Sequence, residues 1–496
     1  MVDPLPVPPD GRLYVGGRWL VPSGGETREV VDPSTGTPFA RAPVGTGDDA
    51  RAAVDAAASA ADAWAAVPGH ERAARLRAIA ERLEAGAEPA ARGIAREVGK
   101  PIAEARLEVR RAVGVFRFAA EEIRQLRGES FPADAYELPA GNAHRLLFTV
   151  RDPIGVVAAI GPFNFPLNLL AHKVAPALAA GNPVVVKPAS AAPLTGLLFA
   201  SLAEAGGLPA GVVNVVPGPA GTIGNALIDH PATRLVTFTG STEVGQRIAE
   251  RAGRHAKRLL LEMGGLDPLV VLDDAPLDVA VAAAVRGAFA FSGQVCTASK
   301  RILVAEGIAA PFSRRIVDRV EALRVGPALD EATEVGPVIS PEALDRLDRL
   351  VGDARDRAGV VLTGGARAPE AGPGFFYRPT VVDRVPPGAA IAREEPFGPA
   401  VPILRFDSIE EAIRLANATP YGLQASIYTR DLDRALAFAR GVRAGGVHVN
   451  DPTTLRWDAL PFGGAKASGI GREGVAEAMR EMTELKLVSI NYGGAG

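Results

Sequence analysis

The chain has 496 residues and a net charge of −3, with 47% hydrophobic and 22% charged residues. That is ordinary globular composition, long enough for more than one core, and it lacks the basic excess that a nucleic-acid or anionic-membrane partner requires. The one cysteine excludes an internal disulfide and fits a reducing compartment, so a cytoplasmic location is expected.

In chain order, residues 1–10 lack a basic start followed by an apolar run, so no signal peptide is expected. Residues 48–66 read as an amphipathic helix opened by paired aspartates, and 70–83 and 88–98 as further helices. Pro101 fits the first turn of the next one. Residues 145–152 look like a strand near a domain edge, as do 485–491, and exposed strands of this kind often pair with a neighbouring chain. Residues 153–171 carry no formal charge, but their prolines and asparagines make a poor membrane span; a buried strand, a loop and a helix fit better. From there a regular alternation begins. Strands are expected at 156–160, 184–187, 212–216, 235–238 and 258–261. Helices are expected at 168–180, 193–205, 222–229 and 242–252, with Gly181-Asn182-Pro183 as a turn. Strands spaced by helices of this length imply crossovers and a parallel sheet. A second α/β run extends from about 269 to 449, with a helix at 277–290 and a strand at 300–304. The last four residues read as a loose tail.

Five places carry candidate chemistry. Cys296 follows Ser292-Gly293-Gln294-Val295 after the 277–290 helix. A lone cysteine is often an inert core residue, but a loop-to-helix junction here would lower its pKa and expose a reactive thiolate. Glu262 ends an apolar strand and precedes Met263-Gly264-Gly265, as a satisfied strand-end carboxylate or as a working one. Gly240-Ser241-Thr242-Glu243-Val244-Gly245 is a glycine turn opening a helix, whose free amides suit a pyrophosphate; the plain alternative is an N-cap made by Ser241 or Thr242. Lys187 ends a strand and suits ribose hydroxyls or a phosphate, unless it is simply solvated. Asn164, in Gly161-Pro162-Phe163-Asn164-Phe165-Pro166, is placed to donate to an oxyanion or to cap its own loop. All but Cys296 fall just past strand ends of one sheet, where a crevice opens.

These segments, with Lys187-Pro188-Ala189-Ser190, Glu394-Glu395-Pro396-Phe397-Gly398-Pro399 and Pro461-Phe462-Gly463-Gly464, resemble the aldehyde dehydrogenase superfamily in order and spacing over nearly the whole chain. The resemblance implies an α/β fold with a Rossmann-like cofactor domain (1–130 and 151–264), an α/β catalytic domain (265–465) and a small β oligomerisation module (131–150 and 484–494). It implies oxidation of an aldehyde to the acid with NAD or NADP. Cys296 would be the nucleophile, Asn164 and the Cys296 amide the oxyanion donors, and Glu262 the base that activates the hydrolytic water. Lys187 and Ser190 would meet the adenosine ribose, and Ser241, between Gly240 and Gly245, a phosphate. Glu395 would hold the nicotinamide ribose, with Phe397 packed beside the ring. A homodimer or homotetramer is implied, and no metal.

The 145–180 stretch and Thr297-Ala298-Ser299-Lys300 resemble most closely the lactaldehyde, non-phosphorylating glyceraldehyde-3-phosphate and succinate-semialdehyde dehydrogenases, whose substrates are small, polar and often anionic. Arg456 is the candidate grip for such an anion; the alternative is a surface arginine paired with Asp451 or Asp458. The chain departs from the family pattern at Leu266-Asp267, where a Lys or Asn and then a Ser are common, and at Ser190, where NAD-preferring members carry Glu. Ser190 leaves room for the 2′-phosphate, so NADP is expected to be accepted. Two rival readings stand beside this one. A CoA-acylating semialdehyde dehydrogenase characteristically lacks the glutamate found at 262, and a non-catalytic structural relative would have lost the nucleophile or the base.

Overall fold

The computed structural model describes residues 10–137, 139 and 142–493. The expectations for residues 1–9 and for the tail at 494–496 therefore lie outside the described residues. Short runs of β-branched and small apolar residues form central strands buried on both faces, as a parallel sheet covered by helices demands. The first sheet runs, edge to edge, Gly469–Ile470, Arg258–Glu262, Thr233–Thr239, Val156–Ile160, Val184–Lys187, Val213–Val215, Leu13–Val15 and Arg18–Leu20. Its five central strands are parallel. The strand order turns round between Val156–Ile160 and Thr233–Thr239, so the loops leaving Ile160 and Thr239 part there and open a crevice. Those loops carry Asn164 and Gly240-Ser241.

The second sheet runs Val360–Thr363, Thr380–Asp383, Ala400–Phe406, Ser299–Ala305, Asp267–Val271, Gln424–Tyr428 and Gly446–Val449. It is parallel apart from its first pair. Only Met263 to Leu266 separate the last residue of Arg258–Glu262 from the first of Asp267–Val271. The carboxyl ends of the first sheet thus face the amino ends of the second. A separate three-stranded sheet joins Thr483–Asn491, Arg145–Pro153 and Ser130–Phe131, with Thr483 opposite Pro153 and Asn491 opposite Arg145. Thr483–Asn491 is its edge strand, and Leu485, Leu487 and Tyr492 project from it 57%, 63% and 65% exposed.

Local chemistry sets the helix ends. Thr46 and Asp49 form a reciprocal capping box on Gly47–Ala65. Ser241 caps Thr242–Gly253 through the Val244 amide. Gly181 closes Asn168–Ala180 at φ +92, a left-handed turn that glycine takes without strain. Asn182 beside it accepts from the Gly155 amide and donates to the Met482 carbonyl, tying the turn to two other segments. Pro101 stands at the N-cap of Ile102–Glu122, one place earlier than expected.

Beneath the crevice, Lys100 and Glu108 form an ion pair buried on both sides. The Lys100 ammonium lies 3.5 Å from the centroid of the Phe165 ring and 4.6 Å from that of Phe291. Glu108 also accepts the Leu167 and Asn168 amides at 2.9 and 3.1 Å, which anchors the start of Asn168–Ala180. Removing one partner strands a buried charge, so Glu108→Ala is expected to destabilise the protein by about 3–5 kcal/mol. Replacing both, as Lys100→Met with Glu108→Gln, should recover most of that loss, and urea denaturation midpoints check both outcomes.

Candidate active site

Three loops meet in the space between the sheets, and glycines let them approach. A Cβ on Gly264 would stand 2.7 Å from Glu395 Oε2, one on Gly265 2.9 Å from the Cys296 carbonyl oxygen, and one on Gly293 2.2 Å from the Gly398 carbonyl oxygen. The backbone just before the thiol holds Phe291 at φ +43 and Ser292 at φ +54, and Phe397 sits at φ +46. Positive φ at non-glycine residues is strained and persists only where neighbours over-determine it. Here Phe291 donates its amide to Glu104, Ser292 its hydroxyl to the Gly336 carbonyl, and the Phe163 and Phe397 rings meet edge to face at 5.8 Å.

Cys296 borders a cavity of about 660 Å³ that is also lined by Phe165, Leu169, Arg111, Arg456 and Phe462. The expected loop-to-helix junction is not there. Cys296 lies in a turn after the short helical turn Ala290–Gly293 and before the strand Ser299–Ala305. No helix N-terminus lowers its pKa. Loss of bulk water instead pushes the thiol up to about 12, against the pull of Lys300 and Arg456. Asn164 is 3% exposed and does two things at once. Its Oδ1 accepts the Phe165 amide at 3.1 Å, the loop-capping role, and its Nδ2 donates to the Gln294 carbonyl at 3.0 Å, which joins its loop to that of the thiol.

Glu262 is not a satisfied strand-end carboxylate. It is 3% exposed, and neither of its oxygens accepts a hydrogen bond. Burial and then the charge of Glu473 raise its pKa well above the carboxylate range, with Arg456, Lys173 and Arg472 opposing. Burial would raise Glu473 as well, but the charges of Lys173 and Arg456 outweigh it and hold this carboxyl down to about 2. Lys173 donates to Glu473 at 2.6 Å, and Arg456 Nη2 lies 3.3 Å from its second oxygen. Two adjacent carboxyls are thus driven apart, one toward the proton and one away from it. Arg456 is not a surface residue. Its side chain is 9% exposed, it lies 3.9 Å from Asp458, and its guanidinium stands 3.8 Å from the Phe462 centroid. Asp458 is held mainly by Arg111, at 3.0 and 2.7 Å, and by His172 at 2.9 Å.

Lys187 is buried rather than solvated, 3% exposed. Burial, with a smaller contribution from Arg28, lowers its pKa to about 8, and its ammonium donates to the Pro188 carbonyl. Ser190 is half-buried and donates to the Gly218 carbonyl at 3.2 Å. Ser241 is the exposed N-cap of Thr242–Gly253, so both readings of that turn meet in one residue. Gly240 and Gly245 answer to packing: a Cβ would stand 2.4 Å from the Phe238 ring at the first and 2.3 Å from Met263 Sδ at the second. A lysine and a serine at one strand end and open amides at the next suit a nucleotide's ribose and pyrophosphate. Half-buried Glu395 forms an ion pair with Lys300 at 3.0 Å, and the buried Nε of Arg346, whose charge Glu395 feels, has no partner.

Sequence reading missed Lys173, Glu473 and Arg346; it offered Asp458 only as a partner of Arg456 and Lys300 only as part of the stretch after the thiol. Lys173 left one trace, a lone lysine in the otherwise uncharged helix Asn168–Ala180. Its partner Glu473 lies 300 positions along the chain, a separation no local pattern spans.

Comparison with known proteins agrees with this geometry. Residues 19–488 match the aldehyde dehydrogenase family model. The lactaldehyde dehydrogenase of Methanocaldococcus jannaschii is 38% identical over 97% of this chain and 100% of its own length. The NADP-dependent succinate-semialdehyde dehydrogenase of Escherichia coli is 38% identical over 97% of each chain. The solved structure of betaine aldehyde dehydrogenase from Staphylococcus aureus in complex with NAD+ is 32% identical, with a TM-score of 0.93 over 98% of this chain and 95% of that one. The chain belongs to the aldehyde dehydrogenase family and is an NAD(P)-dependent aldehyde dehydrogenase.

Proposed function

We propose that the protein oxidises a small polar or anionic aldehyde to its carboxylic acid by covalent catalysis at Cys296, with hydrolysis driven by Glu262. The carrying observation is the pairing of one cavity-facing thiol with one buried carboxylate that has no hydrogen-bond partner, both within the field of Arg456. A group left unsatisfied in this way costs stability and calls for a task. Cys296 gives up its thiol proton to solvent, the thiolate adds to the aldehyde carbon, and the new C–S bond leaves an oxyanion that Asn164 Nδ2 and the Cys296 amide stabilise. Lys187, Ser190, Ser241, Glu395 and Phe397, with the turn from Gly240 to Gly245, would hold NAD(P)+, which would accept the hydride. The resulting thioester is attacked by water, whose proton passes to Glu262; the C–S bond breaks, the acid departs and the thiolate is regenerated. A hydrolytic base at 262 favours this over acyl transfer to CoA, and an intact nucleophile and base favour it over a non-catalytic relative.

The substrate class rests on Arg456 and Arg111 at the cavity wall and on the named substrates of the relatives, lactaldehyde and succinate semialdehyde. The exposed edge strand Thr483–Asn491, with its apolar row, supports self-association as a homodimer or homotetramer. No helix among the described residues is long and apolar enough to cross a membrane, and a single catalytic thiol is best kept in a reducing cytoplasm.

Cys296→Ala should abolish turnover while cofactor still binds. Glu262→Gln should give a burst of one NAD(P)H per site and then a steady phase slowed on the order of 10²–10⁴-fold. The sign of the pH dependence follows from the raised pKa: Glu262 works only when deprotonated, so wild-type hydrolysis should climb with pH above the ordinary carboxylate range, and Glu262→Gln should flatten that climb. Stopped-flow and steady-state rates measure both. A uniform slowing of burst and steady phase would instead assign Glu262 to thiol activation.

Arg456→Ala should raise KM for an anionic aldehyde such as succinate semialdehyde and leave KM for a neutral one of similar length near its wild-type value. Equal changes for both would remove Arg456 from substrate recognition.

NADP should be accepted, because Ser190 is short and neutral and the Lys187 charge lies nearby. Ser190→Glu should shift the ratio of kcat/KM toward NAD by roughly tenfold for each 1.4 kcal/mol of added repulsion. A wild-type enzyme inert with NADP would place the choice elsewhere in the adenosine pocket.

A further inference from the structure

Lys300 is a buried lysine four residues after the thiol, at the end of Thr297-Ala298-Ser299-Lys300. Its ammonium donates to the Cys296 carbonyl and lies 3.0 Å from Glu395 Oε1. Its side chain is 2% exposed, so it is neither a solvated charge nor a flexible one. The Gly265 amide reaches the same Glu395 oxygen at 3.4 Å. Glu395 Oε1 is therefore committed to the protein, and its carboxylate can turn Oε2 toward a ligand. Asp267, in the Leu266-Asp267 departure from the family pattern, lies in the same region. Asp267 is 1% exposed, and its Oδ1 approaches Gly265 from the same side as the Cys296 carbonyl oxygen. Burial pushes Asp267 up to about 7, and Lys300 is the foremost group opposing that rise. A buried ammonium thus sits between a carboxylate and a carbonyl, with Asp267 within its field. Arg301, next in the chain, fixes the flanking backbone by donating to the carbonyls of Leu266, Leu415 and Ala416.

We propose that Lys300 is a positioning residue that locks Glu395 for the cofactor ribose and, through the Cys296 carbonyl, makes that carboxylate and the nucleophile turn one rigid unit. The proposal rests on the reading of Glu395 as the ribose-holding group. An ammonium bridging the two loops restricts Glu395 to one orientation before the cofactor arrives, and such preorganisation strengthens binding by removing the ordering cost. Its ammonium is engaged by the Cys296 carbonyl and Glu395, so its effect should appear in cofactor affinity and not in aldehyde affinity.

The test is a double-mutant cycle on the full-length enzyme with Lys300→Met, Glu395→Gln and the two combined, reading KM separately for NADP and for the aldehyde. Each single change is expected to raise cofactor KM on the order of tenfold, the usual scale for a hydrogen bond to a charged group, with aldehyde KM within about twofold. The double variant should be no worse than the poorer single one, because both act through one carboxylate. If Glu395→Gln raises cofactor KM and Lys300→Met does not, the proposal is overturned and the reading of Glu395 survives. If Glu395→Gln has no effect, the reading of Glu395 falls and takes the proposal with it. Independent, multiplying effects overturn the link between the two residues. Should Lys300→Met not fold, Lys300→Gln, which keeps a donor, takes its place. If neither folds, Lys300 serves stability alone and the proposal is overturned.

Discussion

Taking an ionisable group out of water costs several kcal/mol unless a partner replaces the lost hydration. Around Cys296 the chain has removed many such groups from water at once. Lys100 is matched by Glu108, Lys300 by Glu395, Lys173 and Arg456 by Glu473, and Arg111 and His172 by Asp458. Lys173 with Glu473, Arg111 and His172 with Asp458, and Lys300 with Glu395 join segments distant in sequence, so these pairs also hold loops in register. The strained backbone at Phe291 and Ser292 persists because this framework leaves it no relaxed alternative. Against this background Glu262 stands out as a carboxylate with no hydrogen-bond partner of its own. The same low dielectric that makes it costly raises its proton affinity, and proton affinity is what a general base requires.

The thiol obeys the same constraint in the same direction. Burial disfavours the thiolate, and only Lys300 and Arg456 counter it among the largest influences. A resting thiol held neutral is protected from oxidation, which attacks the thiolate. The positive groups nearest to it are also those that border the substrate cavity or tie down Glu395, so charge at the nucleophile is shared with the binding machinery. Under the proposed function, proton affinity at Cys296, cofactor placement at Glu395 and substrate charge at Arg456 become one electrostatic problem.

Much of this was legible along the chain. Val184–Lys187, Pro193–Ala205 and Asn168–Ala180 fall where apolar runs and helix periodicity place them, since a parallel sheet buried on both faces imposes continuous hydrophobic strands. Gly264 and Gly265, the turn after Glu262, lie against Glu395 and Cys296, where a side chain would not fit. The reading failed at Cys296, where a helix was expected and a strand follows. A Gly-Gln-Val run after a helix does not specify what comes next, because the turn is imposed by contacts with Gly336, Glu104 and Gly398.

The sequence by itself determined the alternation of strands and helices, the glycine positions, the single thiol and the carboxylate at the end of an apolar strand. These follow from side-chain period, backbone freedom and residue chemistry, all of which act locally. Only the tertiary structure decided that the carboxyl ends of one sheet face the amino ends of the other, which brings Cys296 into the crevice that the other candidates already shared. It alone decided the partners of Lys173, Asp458, Arg456 and Lys300, because a buried charge finds its counter-charge by proximity in space. Lys173 and Glu473 stand 300 residues apart along the chain, and nothing short of the folded chain could have paired them.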